Sequence, residues 1–178
     1  MDRLRLATVW LGGCSGCHMS FLDLDEWLIE LASFADIVYS PVVDTKEYPE
    51  GVDAVLVEGA VNNEENLAMI RRVRARTRTV IAFGDCAVTG NVTALRNPAG
   101  SREEMLARAY LDPGDLHPGI PTRVVPALLE RAQPLNAVIT VDFFMPGCPP
   151  PAPRIRAVLE AIGAGRAPHL EGPDIKFG

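Results

Sequence analysis

At 178 residues the chain is the size of one ordinary domain and long enough to bury a hydrophobic core. A composition of 48% hydrophobic and 22% charged residues excludes a disordered or fibrous chain. Its formal charge of −6 argues against nucleic acid as a partner, because neutralising phosphates needs a basic face.

The opening "MDRLRLATVWLGG" has a short apolar run, no small-residue cleavage site and no twin-arginine pair, so it does not read as an export signal. No stretch approaches the roughly 18 apolar residues of a membrane span. The expectation is a cytoplasmic protein, in which four cysteines are metal ligands or catalytic thiols rather than two disulfides.

"LATVWL" (Leu6–Leu11) reads as a buried first strand. "SFLDLDEWLIELASF" follows with Leu24, Trp27, Leu28 and Leu31 at helical spacing. "DIVYSPVV" (Asp36–Val43) reads as a second strand, pushed toward an edge by Pro41. "AVLVEGAV" (Ala54–Val61) holds a third, ending at Glu58-Gly59. "NEENLAMIRRVRAR" opens on acids and closes on arginines, as the helix macrodipole favours. "TVIAFGDC" (Thr79–Cys86) is a fourth strand. From Arg96 to Pro126 the chain is rich in Pro and Gly around one helix-like piece, "SREEMLARAYL", a long loop region suited to partner contact. "NAVITVDFFMPGC" supplies a fifth strand and "PAPRIRAVLEAIGAG" a closing helix, with Pro near its start and Gly past its end. This alternation predicts an α/β domain over 1–178: one doubly wound, flavodoxin-like parallel sheet of five strands.

Cys14 and Cys17 follow the first strand, Cys86 the fourth and Cys148 the fifth. Strands of a parallel sheet end on one edge, where open α/β folds bind ligands, so the four cysteines are predicted to converge there. The adjacent glycines Gly12, Gly13, Gly16, Gly84 and Gly147 let backbone N–H groups approach a buried site. Four thiolates suit zinc or a 4Fe–4S cluster. One Cys-x-x-Cys pair with two distant single cysteines is unlike the paired knuckles of zinc ribbons and leans toward iron–sulfur. A redox dithiol on Cys14 and Cys17 would leave Cys86 and Cys148 unexplained.

Four motifs in order, "WLGGCSGCHMSF", "VEGAV", "FGDCAVTGNV" and "DFFMPGCPPPAP", resemble the small subunit of NiFe hydrogenases, and "GGCSGCHMSFLDLDEW" looks closest to the soluble, bidirectional NAD-reducing kind. The resemblance implies that Cys14, Cys17, Cys86 and Cys148 ligate one proximal 4Fe–4S cluster. It implies two kinds of partner: a NiFe-containing large subunit docked at that edge, and diaphorase subunits with flavin and iron–sulfur clusters that reduce NAD. Electrons from hydrogen would pass through this chain between them.

Longer small subunits carry further clusters and a twin-arginine signal. This chain has no cysteine left for a second cluster, so the electron is expected to exit to a partner protein. Met19 stands where periplasmic members tend to have Glu, and no carboxylate role transfers to it. The related quinone-reducing subunit of respiratory complex I has adjacent cysteines in its first motif, whereas Ser15-Gly16 separates Cys14 from Cys17. FMN is the minor alternative for this fold, because "GGCSGC" occupies the place of a flavodoxin phosphate loop. The competing functions are a related subunit serving another acceptor, a deazaflavin or a quinone, and a zinc-stabilised interaction module.

Among other residues, His18 reads as a hydrogen-bond partner of the cluster, part of a proton route, or a surface or interface histidine, and Glu58 as a proton relay, a contact to the large subunit or a solvated loop acid. Asp85 reads as a charge beside the cluster or a helix cap. Trp10, Phe143 and Phe144 read as core or interface packing. Arg71, Arg72, Arg74, Arg76 and Arg78 read as a solvated helix end, and His117 and His169 as loop residues without a role.

Overall fold

The computed structural model describes residues 3–111, 114 and 116–177. The chain begins with β1 (Leu4–Trp10), α1 (Gly16–Leu22), α2 (Trp27–Phe34) and β2 (Ala35–Tyr39). β3 (Val52–Glu58), β4 (Val61–Asn63), α3 (Glu64–Arg76) and β5 (Thr77–Phe83) come next. Then follow α4 (Asp85–Thr89), α5 (Asn91–Ala94), α6 (Arg102–Tyr110), β6 (Leu128–Gln133), β7 (Phe143–Met145) and α7 (Ala152–Gly163).

Five strands pair in the order β2-β1-β3-β5-β7, all parallel, which is the expected flavodoxin-like arrangement. The two-residue period divides the apolar side chains between two cores. Leu6, Leu56, Ile81, Phe83 and Met145 face α1, α2 and α7, meeting Phe21, Trp27, Leu31, Ile155 and Leu159. Val9, Val55, Val57 and Val80 face α3, meeting Ile70 and Val73. Arg156 of α7 lies over the Trp27 ring at 5.3 Å, joining two helices of one layer.

Three expectations are corrected and one holds. The helix expected over residues 20–34 is two helices, because Asp25 takes φ 49 and turns the chain between α1 and α2. The third strand ends at Glu58 as expected, where Gly59 takes φ 92 against the Gly12 backbone. The fifth strand is only three residues, preceded by a 3-10 turn at Leu135–Ala137. The long loop region contains β6, which pairs antiparallel with β4. α6 forms inside that region with a capping box between Ser101 and Glu104. Asp112, Pro113 and Asp115 of the loop lie outside the described residues.

The arginine group is also not simply a solvated helix end. Arg74 binds Asp142 and the carbonyls of Thr77, Arg78 and Thr140, while Arg76 binds Glu50 and Arg78 binds Asp53. These contacts fasten the edge where the strands begin.

Candidate metal centre at the strand ends

All four cysteines lie at the opposite edge. β1 exits through Gly12 and Gly13 to Cys14, and Cys17 sits in the first turn of α1. Cys86 sits in the first turn of α4, directly after β5, and Cys148 follows β7 by three residues. Cys17 and Cys86 are buried; Cys14 and Cys148 are exposed. None is in a disulfide.

Short bonds lace the three cysteine loops to each other and to the end of β3. Gly12 and Ala60 exchange both backbone hydrogen bonds, at 3.0 and 2.8 Å. The Gly84 N–H donates to the Met145 carbonyl and the Asp85 N–H to that of Gly147. The Asp85 carboxylate then accepts the Gly147 N–H at 2.6 Å, clasping the Cys86 loop to the Cys148 loop. Ser20 of α1 donates to the Pro150 carbonyl at 2.6 Å, closing the ring between the first and last loops.

Glycine is required where sulfur must enter. A Cβ on Gly84 (φ 84) would lie 2.2 Å from Cys17 Sγ, so that sulfur occupies the space a side chain would fill. The Gly16 N–H donates to Cys14 Sγ at 3.4 Å and Asn91 Nδ2 to Cys148 Sγ at 3.5 Å, the kind of donor that stabilises a thiolate.

Electrostatics registers the same convergence. Burial chiefly raises the Cys17 thiol far above its ordinary range, and Glu58, Cys86, Cys14 and Cys148 each add to the rise. Burial likewise raises Cys86, opposed by the Val92 N–H and reinforced by Cys14, Cys148 and Glu58. Thiols gathered in this way become thiolates when a cation's charge is supplied. Among the described residues no three His, Cys, Asp or Glu side chains stand close enough together to hold a metal ion as they are placed. The donor set and the glycine cradle fit a thiolate-bound metal centre.

The residues around the cysteines settle between their alternative readings. His18 is 8% exposed and Glu58 1% exposed, so neither is a surface group. The Asp85 carboxylate is the clasp to Gly147. Trp10 is 47% exposed and Phe144 39%, which places both outside the core; Met19, Val92 and Leu95 are exposed as well. His117 and His169 are exposed loop residues. No local pattern in the sequence announces the Ser20, Asp85 and Asn91 contacts, which span 57 to 130 residues. No described helix is long and apolar enough to cross a membrane.

Comparison with known proteins adds to this geometry. The profile of the NADH ubiquinone oxidoreductase 20 kDa subunit family matches residues 14–162. The chain is 36% identical to the delta subunit of the NAD-reducing hydrogenase HoxS of Cupriavidus necator, over 92% of this chain and 80% of that one. It is 38% identical to one subunit of the vhu F420-non-reducing hydrogenase of Methanocaldococcus jannaschii, over 94% of this chain and 58% of that one. Across three F420-non-reducing relatives the chain spans 53% to 58% of their length. Among solved structures, a chain of an NAD+-reducing [NiFe]-hydrogenase in the H2-reduced state superposes with a TM-score of 0.93 at 36% identity, covering 99% of both chains.

Proposed function

We propose, from the premise that this chain belongs to the NADH ubiquinone oxidoreductase 20 kDa subunit family, that it is the electron-transfer small subunit of a NiFe hydrogenase. The observation that carries this reading is the gathering of four thiols from three strand-end loops, with Gly84 making room for Cys17. A single 4Fe–4S cluster on Cys14, Cys17, Cys86 and Cys148 would supply one-electron transfer. The chain's residues hold the thiols, donate N–H groups to Sγ at Cys14 and Cys148, and keep Cys17 and Cys86 from solvent. The Ser15-Gly16 spacer supports the hydrogenase branch of the family over its quinone-reducing branch. FMN is no part of the proposal, because the loop after β1 is committed to Cys14 and Cys17.

The partners follow. Trp10, Met19, Val92, Leu95 and Phe144 are exposed apolar side chains, and exposed Cys14 and Cys148 lie at the strand-end edge, features suited to docking a large subunit carrying the NiFe site. Likeness to the NAD-reducing relatives supports a diaphorase module as the outlet, with the whole complex catalysing H2 + NAD+ ⇌ NADH + H+ in the cytoplasm. A second reading, the same subunit serving another acceptor such as a deazaflavin, is favoured by its 32% identity to the gamma subunit of a coenzyme F420 hydrogenase of Methanosarcina barkeri. Anaerobic purification with co-purifying subunits, followed by hydrogen-dependent reduction assays, separates the two. NADH formation is expected; reduction of a quinone or deazaflavin but not NAD would support the second reading. A colourless zinc protein without hydrogenase activity would leave an interaction module.

A further inference from the structure

The strand-end edge has a second opening, on the α3 side of β1, that no cysteine lines. It is a cleft of about 460 Å³. Trp10, the last residue of β1, and Tyr39, the last of β2, supply its aromatic walls. Tyr39 meets the buried Tyr48 ring edge-to-face at 5.2 Å, so this wall stands in place before anything binds.

Two cations enter the cleft, Lys46 from the loop after β2 and Arg72 from α3. They differ from the cations that follow them on the chain. Arg74, Arg76 and Arg78 each meet a carboxylate, whereas among the described residues neither Lys46 nor Arg72 makes an ion pair or a hydrogen bond. The single acid of the lining, Glu65, lies in the first turn of α3, where the helix dipole favours it. Two cations against one carboxylate leave the cleft positive on a chain of formal charge −6. The chain as a whole repels an acidic segment and the cleft attracts it, which fixes where such a segment binds. Trp, Tyr and Arg are also the side chains on which interface binding energy concentrates.

The cleft adjoins the cysteine edge through the backbone. Leu11, next to Trp10, donates its N–H to the Glu58 carbonyl at 2.8 Å, and Gly12 and Ala60 exchange bonds, which fixes the path toward Cys14. Four residues, at most about 14 Å of extended chain, carry Trp10 to the exposed Cys14. A protein seated over Cys14 therefore reaches the cleft.

We propose that this cleft seats an acidic anchor of the large subunit: a carboxylate-bearing segment whose charge meets Lys46 and Arg72 and whose apolar atoms lie on Trp10 and Tyr39. The inference rests on the proposed function and deepens it by naming the chemistry of the contact.

The test is the dissociation constant between this chain and its large subunit, measured on the anaerobically purified complex at low and at high salt. Iron and sulfide are counted per chain alongside. Lys46→Glu combined with Arg72→Glu should weaken the complex about a hundredfold at low salt, the order expected when like charges face each other across an interface. The loss should shrink at high salt. Both side chains are exposed and unpaired, so iron content and melting temperature should stay at the wild-type values. Arg71→Glu changes the charge one position along α3 but outside the cleft, and should leave the constant within about threefold of the wild type. A double variant that binds as tightly as the wild type overturns the inference. So does an equal loss in Arg71→Glu, which would reflect charge at long range. Release of the diaphorase subunits with the large subunit retained also overturns it and would give the cleft to the outlet partner. Wild-type protein that brings down no NiFe-containing subunit contradicts the proposed function itself.

Discussion

Where the strands begin, Arg74 reaches Asp142 at 2.5 Å, Arg76 reaches Glu50 at 2.7 Å and Arg78 reaches Asp53 at 3.2 Å, all with at least one partner well exposed. Where the strands end, Glu58 and Asp85 are buried, and each accepts a backbone N–H from a cysteine loop. The first edge spreads its charge over several solvated pairs, each screened and individually weak. The second concentrates it in single buried bonds whose loss strands a partner away from water. Charge at one edge fastens the scaffold, and at the other it shapes a site.

Substitutions at the two edges should therefore differ in scale. The largest effect is expected for Cys148→Ala, which removes a ligand whose binding energy is also folding energy. The variant should be poorly soluble and free of iron; a monodisperse chain with the wild-type melting temperature would contradict this. Gly84→Ala comes next, because it forces a side chain to φ 84 and into the space of Cys17 Sγ. Urea denaturation should register a loss of roughly 3 kcal/mol from backbone strain and overpacking.

Asp85→Ala leaves the buried Gly147 N–H without its carboxylate acceptor, which should cost about 1–3 kcal/mol in the same assay. At the other edge Tyr48→Phe removes the bond to Thr77 Oγ1 at 2.6 Å, worth about 1 kcal/mol. Burial pushes the Tyr48 hydroxyl up to about 12 from 10.0. A folded value above the unfolded one means that its contribution is whole below pH 10 and is lost as pH rises toward 12. Melting temperatures across that window should show the wild type's advantage over Tyr48→Phe shrinking as pH rises. Arg78→Ala should be the mildest, below about 0.5 kcal/mol and smaller still in high salt. A cost equal to that of Asp85→Ala would erase the distinction between the edges.

The strand order and the edge that gathers the cysteines were legible because apolar β-branched runs alternate with helical spacing, and parallel strands share one end. The break between α1 and α2 was hidden because Leu24, Trp27, Leu28 and Leu31 keep helical spacing through the turn at Asp25. β6 was hidden because "LLERAQ" has no strand alternation and finds its partner, β4, more than sixty residues away. The apparent fifth strand was too long because Val138, Ile139 and Val141 pack against the α3-side core without joining the ladder. At the site, the cysteines and glycines announce themselves by type and spacing. The burial of Glu58 and its grip on His18, forty positions away, depend on how β1 and β3 lie side by side.

The central claim is that Cys14, Cys17, Cys86 and Cys148 together hold one cluster. Iron, zinc and acid-labile sulfide should be counted per chain on anaerobically purified protein. About four iron and four sulfide are expected, falling together when any one of the four cysteines is replaced. About one zinc and no sulfide would contradict the account.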